Sequence, residues 1–177
     1  YYLRQIDLAG NTGLLEQHSF TYSTAAPATP TIVLVTDTGS SSTDKLTNSV
    51  TMNVTADSGN VVDVVFSNGV NKVITKIVTG NGATPVSVAL TATELAALTD
   101  GVIKVEATAT NTVGNTASAT TSFVLDTVAL APTLVLAADT GLNGDGITSN
   151  PTVNVTGLES GASWQYHVDS GDWQNGS

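Results

Sequence analysis

Two short loops carry the carboxylates that could do chemistry in this chain. The first, DTGSSSTDKLT from Asp37 to Thr47, sets Asp37 and Asp44 seven residues apart. The second, DTGLNGDGIT from Asp139 to Thr148, sets Asp139 and Asp145 six apart. Two aspartates on a loop rich in small residues offer hard oxygen donors on a flexible backbone. That suits Ca²⁺, which takes about 6–8 oxygen ligands from carboxylates, backbone carbonyls and water, better than Mg²⁺ with its strict octahedral geometry. A third carboxylate, Asp126, stands in the linker ahead of the second loop. The same residues have a plainer reading. Asp bonds its own backbone and Gly accepts positive φ, so Asp-Thr-Gly also makes an ordinary turn.

The other candidates are weaker. His18 and His167 are the only histidines, each on an alternating run with no second His or Cys close by, so both read as surface positions. Asp169 and Asp172 flank Ser170-Gly171 and mimic a paired-carboxylate site. Acid–base work would need one of them desolvated, and a hairpin turn is open to water. Trp164, Tyr166 and Trp173 could form an aromatic platform for a sugar. However, Trp164 and Tyr166 fall on Val62 and Val64 of the other copy, so core packing is preferred. Asn53-Val54-Thr55 and Asn154-Val155-Thr156 match the glycosylation sequon but lie inside strand-like runs. There is no phosphate-cradling glycine loop, no nucleophile elbow and no HExxH motif. The sequence points away from an enzyme.

Composition narrows the class further. The 177 residues contain no cysteine, which excludes a disulfide scaffold, a thiol enzyme and a CxxC zinc site. Five basic residues against fifteen acidic ones give a net charge of −10. Such a chain repels nucleic acid and anionic membranes and attracts cations. No apolar run approaches the roughly 20 residues of a membrane helix, so no membrane insertion is expected, and no signal peptide opens the chain. Thr, Ser, Asn, Gly, Ala and Val dominate, a vocabulary of strands and turns.

The elements that must position the Asp loops are strands. Each loop follows an alternating run, TIVLV or TLVLA, and leads into another, SVTMNVT or NPTVNVT, so one strand–loop–strand unit occurs twice. Repeats of this size are modules strung in an array. The proline-bearing stretches AAPATP (Ala25–Pro30) and ALAPT (Ala129–Thr133) mark the same boundary in successive copies. The complete copy, residues 26–126, shows seven strand-like runs bounded by Gly, Asn, Asp or Ser. Its length is close to the roughly 100 residues of an immunoglobulin-like sandwich. Asn68-Gly69 predicts a short hairpin turn, since both types tolerate positive φ. TATELAALTDG predicts one helical turn crossing between sheets, with Thr91 and Glu94 as a capping box and Gly101 as the stop. Alternation nominates Val54, Val64, Phe66, Val88, Leu90, Leu95, Val105 and Phe123 for the core.

The flanks read as pieces of the same design. Residues 1–25 form the closing hairpin of a preceding module, with Gly10-Asn11 as its turn and HSFTY as its second strand. Asp7, Gly10 and Asn11 fall on Asn111, Gly114 and Asn115. Residues 127–177 form the opening half of a following module, with GLESGASWQYHVDSG on the pattern of TADSGNVVDVVFSNG. The fold class is therefore all-β: tandem immunoglobulin-like β-sandwich modules, one complete and two partial. The two end pieces are different halves of one design. Either they are the limits of a fragment from a longer array, or they pair between neighbouring chains. Pairing would bring Tyr2, Arg4 or Ile6 beside strands of the Thr133–Val168 region.

DTGxxxxDxxT after a short strand, D/N-x-x-G-N before the last strand, Leu-Asp-Thr leading to Ala-Pro, and WQYxVDxG-xW together resemble bacterial immunoglobulin-like repeats. Such repeats build the extender regions of giant Gram-negative adhesins of the RTX, type I-secreted kind, and the resemblance covers essentially the whole chain. It implies a stiff rod with calcium near the module junctions. Carried over, it implies Asp37 and Asp44 as ligands at one junction with Asp7 from the preceding module. At the other it implies Asp139, Asp145 and Asp126, with Asn111 in the place of Asp7. Ser23 stands where Asp126 stands in the next linker, which implies weaker binding at the first junction. The implied function is a non-enzymatic, extracellular spacer of a cell-surface adhesin. Its partners would be neighbouring modules of the same or adjacent chains. The alternatives are a glycan- or protein-binding module, which a long loop at one end would mark, and an accessory domain of a secreted hydrolase.

Overall fold

The computed structural model describes residues 1–176. They divide into two compact units, Tyr1–Asp126 and a second beginning at Thr127. The first unit opens with a small hairpin, β1 (Tyr2–Leu3) against β2 (Glu16–Gln17), with Tyr2 opposite Gln17. The expected partner strand HSFTY is therefore displaced. Asp7 fixes the tip by accepting from the Ala9 and Asn11 N–H groups at 2.9 and 2.8 Å. Ile6 stands opposite Thr12 at that end, the register slips by one residue, and Tyr2–Leu3 then meet Glu16–Gln17, which leaves residues 19–22 beyond the pairing.

The complete module follows as β3 (Thr31–Leu34), β4 (Leu46–Thr47), β5 (Thr51–Ala56), β6 (Val61–Ser67), β7 (Val73–Thr79), β8 (Gly82–Ala89), α1 (Ala92–Leu98), β9 (Gly101–Thr110) and β10 (Thr116–Leu125). Two sheets face each other, one in the order β3-β5-β8 and the other β4-β10-β9-β6-β7. The runs are rich in Val, Ile and Thr, which suit a half-buried pleated surface, and alternation sends every second residue inward. Met52 and Val54 of β5 thus meet Val62, Val64 and Phe66 of β6 and Ile103 and Val105 of β9 in one core. Seven of the eight nominated core residues are buried. The eighth, Leu95, packs half-buried at the margin, and Leu98 further along α1 fills the interior instead.

α1 carries the chain from the three-stranded sheet to the five-stranded one. Its capping box is present: Thr91 Oγ1 accepts from the Glu94 N–H, and Glu94 Oε2 accepts from the Thr91 N–H at 2.8 Å. The other Glu94 oxygen pairs with Lys76 on β7, which pins the helix to the sheet. The Lys76 ammonium, then the Thr91 N–H, hold the Glu94 carboxyl down to about 2. The left-handed stop falls on Thr99, at φ 63°, two residues before the expected Gly101.

The Asn68-Gly69 hairpin is longer than its sequence signal. Ser67 pairs with Val73, which leaves a five-residue loop. Asn68 is used differently from a tight-turn residue. Its Oδ1 accepts from the Val70 and Lys72 N–H groups, and its Nδ2 donates to the Leu98 carbonyl at 2.9 Å. The sequence also hid β4. This two-residue strand runs parallel to the end of β10, with Leu46 opposite Val124 and Thr47 opposite Leu125.

In the second unit β11 (Thr133–Leu136) pairs with β12 (Val153–Thr156), and β13 (Gln165–Tyr166) with β14 (Gln174–Asn175). Trp164 and Tyr166 are not enclosed as expected. Trp164 is half-buried over Gly176, and Tyr166 is 47% exposed. With only these two short pairs among the described residues of the unit, few side chains are available to cover that face.

Candidate functional site

The two Asp loops are built alike. Thr31 pairs with Thr55 and Leu34 with Met52, so residues 35–50 close the far end of the β3–β5 hairpin. Thr133 pairs with Thr156 and Leu136 with Val153, so residues 137–152 close the far end of β11–β12. Threonines brace both. Thr38 Oγ1 lies 3.3 Å from Thr47 Oγ1 and accepts from the Asn48 N–H at 2.9 Å. Thr140 Oγ1 lies 3.3 Å from Thr148 Oγ1 and accepts from the Ser149 N–H at 2.8 Å.

Within that frame the four aspartates repeat their roles. Asp44 Oδ1 accepts from the Leu46 N–H at 3.0 Å, and Asp145 Oδ1 from the Ile147 N–H at 2.9 Å. Asp37 Oδ2 accepts from the Lys45 N–H at 3.0 Å, and Asp139 Oδ2 from the Gly144 N–H at 2.8 Å. The donor differs: it follows the second aspartate in the first loop and precedes it in the second, which is one residue shorter. Where Gly146 takes a left-handed φ of 73°, the first loop holds Lys45 at 61°, a conformation that costs a non-glycine residue roughly 1–2 kcal/mol. In both loops the remaining oxygen, Asp37 Oδ1 or Asp139 Oδ1, is buried and has no hydrogen-bond partner. Leaving a buried acceptor unsatisfied costs about 1–3 kcal/mol, and more when it is charged. A cation would remove that cost, and a carboxylate oxygen is the donor type that Ca²⁺ prefers.

Asp126 lies at the same end of the complete module as Asp37 and Asp44. Its N–H donates to the Thr47 carbonyl at 3.0 Å, and it lines a small hollow with Thr38, Gly39 and Thr47. Asn111, expected beside Asp126, does not stand next to it. The whole of β10, ten residues or about 30 Å of strand, separates the two. Asn111 sits instead at the linker end, where its Nδ2 donates to the Ala25 carbonyl at 2.9 Å. Asp7 caps the tip of the first hairpin, away from the end at which the chain leaves for the linker. The Asp37–Asp44 loop closes the end of the module remote from that linker. The Asn11 side-chain amide, then its N–H, lower the Asp7 carboxyl below its ordinary range. Among the described residues, no three His, Cys, Asp or Glu side chains converge as a metal-binding group.

His18 and His167 are exposed, as expected, with His18 beside Glu16 and His167 edge-on to Trp173. Trp164 and Tyr166 are tilted 40° to one another, and Trp173 packs on His167 instead. The three rings make no common flat face.

The bacterial Ig-like domain family matches residues 23–127, more than half of the chain. The chain belongs to that family. Three solved structures are similar to parts of this Ig-like chain. One is described as a tetra-tandem repeat in the extending region of a large adhesion protein, at 24% identity and TM-score 0.47, covering 76% of this chain and 33% of that one. Another is of a Ca²⁺-stabilised adhesin that helps an Antarctic bacterium reach out and bind ice, at 27% identity and TM-score 0.39, covering 75% and 32%. The third concerns host cell surface retention of a 1.5-MDa bacterial ice-binding adhesin, at 26% identity and TM-score 0.36, covering 74% and 42%. The chain thus spans about a third of the first two. No curated protein matches it.

The Ig-like module also uses residues that the sequence reading passed over. Asp57 Oδ2 accepts from the Ala28 N–H at 2.9 Å, and Glu159 Oε1 from the Leu130 N–H at 2.7 Å. An acidic residue thus ties down the linker in each copy. TADSG and GLESG, aligned on their glycines, put Asp57 and Glu159 at one position, so the signal was present.

Proposed function

We propose that this chain is a spacer segment of a bacterial cell-surface adhesin, a run of Ig-like modules that calcium stiffens. The observation that carries the reading is the buried, unpartnered carboxylate oxygen at the same place in successive copies. Asp37 and Asp44 would hold one ion, with Asp126 at the same end of the module, and Asp139 and Asp145 would hold another. Bound calcium supplies a divalent charge that tolerates irregular oxygen geometry, so backbone carbonyls and water can complete the shell. The chain's own part is to present those oxygens on a threonine-braced loop, once per copy, at the end of a rigid hairpin. We leave Asp7 and Asn111 out of these groups, because Asp7 bonds to its own turn and Asn111 to the Ala25 carbonyl.

Module limits of 1–25, 26–126 and 127–177 go with this reading, as do an extracellular, non-enzymatic role and neighbouring modules as the partners. The resemblance of the motifs to adhesin extender repeats supports the adhesin assignment. The net charge of −10 suits a chain that works among divalent cations. Thermal melting and small-angle scattering in calcium and in chelator test it. Calcium should raise the melting temperature and lengthen the particle. Identical melting and identical dimensions in the two conditions would refute it.

A further inference from the structure

The linker at residues 23–28 is held by a different chemistry from the Asp loops. Asn115 Nδ2 donates to the Ser23 carbonyl at 3.1 Å and to the Ala25 carbonyl at 3.0 Å. Asn111 Nδ2 adds a second bond to the Ala25 carbonyl at 2.9 Å, so both lone pairs of that oxygen are used. From the other side Asp57 accepts from the Ala28 N–H. The orientation of the Asn111 amide is fixed by its own turn. Its Oδ1 accepts from the Val113 and Asn115 N–H groups at 3.1 and 3.0 Å, which leaves only the nitrogen to face the linker.

The first hairpin shows the alternative at the same position. Asp7 Oδ1 accepts from the Ala9 and Asn11 N–H groups, reproducing the turn that Asn111 makes. Its other atom, Oδ2, is an acceptor where Asn111 has a donor. In the first hairpin that oxygen accepts from the Asn11 side-chain amide at 2.8 Å. A carboxylate at position 111 would therefore set an anionic oxygen toward the Ala25 carbonyl and draw the Asn115 amide away from the linker, leaving acceptors that a cation could bridge.

We propose that the joint at residues 23–28 is clamped by the neutral amides of Asn111 and Asn115 and needs no metal ion. The chain is then stiffened in two ways, by calcium at the Asp loops and by side-chain amides at this linker. The inference rests on the reading of the chain as a jointed rod, but its readout is local. Amide exchange at Ala28, followed by NMR on the whole 177-residue chain, reports opening of the linker. In the native chain, exchange at Ala28 should be the same in chelator and in calcium. Asn115→Ala keeps the turn and removes two linker bonds, so exchange should quicken about tenfold in both conditions. Asn111→Asp should lose protection in chelator and recover it in calcium. Chelator-induced loss of protection in the native chain would overturn the proposal, as would unchanged exchange in Asn115→Ala or full protection of Asn111→Asp in chelator. A chain whose melting ignores calcium while Ala28 stays protected would sink the calcium reading and leave the amide clamp standing.

Discussion

Replacing Asp37 by asparagine separates the metal-binding role of this side chain from its role in the turn. The variant keeps an oxygen to accept from the Lys45 N–H, so the loop retains its internal bond. What changes is the buried second position, where a charged, unpartnered oxygen gives way to a neutral amide. In chelator the native chain bears a penalty of about 1–3 kcal/mol for that oxygen, and the substitution relieves part of it. In calcium the balance reverses. Extracellular calcium sites have dissociation constants on the order of 10⁻⁴–10⁻³ M, so about 10 mM ion stabilises the native loop by roughly 1.4–2.7 kcal/mol. For a module of about 100 residues that is roughly 6–20 °C in melting temperature. Thermal melts followed by circular dichroism should therefore show a crossover. Asp37→Asn should melt at or above the native chain in chelator and clearly below it in calcium. A variant that loses the same number of degrees in both conditions would refute the reasoning, because Asp37 would then act only as a turn residue.

Phe66→Ala, in the centre of the core, should cost about 3–5 kcal/mol in a urea titration. Gly80→Ala should destabilise the module by about 1–3 kcal/mol or more, because the added Cβ would lie 2.2 Å from the Asp57 carbonyl oxygen. The same substitution should quicken exchange at Ala28, since Asp57 carries the linker bond. Glu94 is held at about 2 against an ordinary 4.5, so its contribution is complete above pH 4.5 and is lost as the pH falls toward 2. The melting difference between the native chain and Glu94→Gln should accordingly shrink across that interval. A difference that stays constant from about pH 5 to about pH 2 would show that the Lys76–Glu94 pair does not contribute.

The sandwich was legible because burial on one face writes itself as alternation. Val62, Val64 and Phe66 sit at every second position, and all three are buried. The Thr91–Glu94 capping box was legible for a similar reason, as its partners lie three residues apart. The Asp loops could be found by repetition, yet the orphaned oxygens could not, since burial of a single atom depends on the packed loop. Where Asn111 stands relative to Asp126 was not legible, for a geometric reason. Aligning Asp7 with Asn111 gives equivalent positions, but it does not say at which end of a ten-residue strand each stands. Asn68 misled because its side chain had two tasks, closing its own loop and reaching the Leu98 carbonyl. The second of these is a contact 30 residues away that no local pattern encodes.

The parallel pairing of β4 with the end of β10 has a mechanical consequence. The chain enters the module at the linker end and leaves it past Asp126 at the other. Tension along the chain therefore drags β4 toward the entry and β10 toward the exit. The two bonds between them, Val124 N–H to the Lys45 carbonyl at 2.8 Å and Asp126 N–H to the Thr47 carbonyl at 3.0 Å, run across that direction of pull. They are loaded in shear and must give way together, whereas a hairpin peeled from its open end yields one bond at a time. The Asp37–Asp44 loop leads straight into β4, so whatever stiffens that loop also stiffens the element that bears the load.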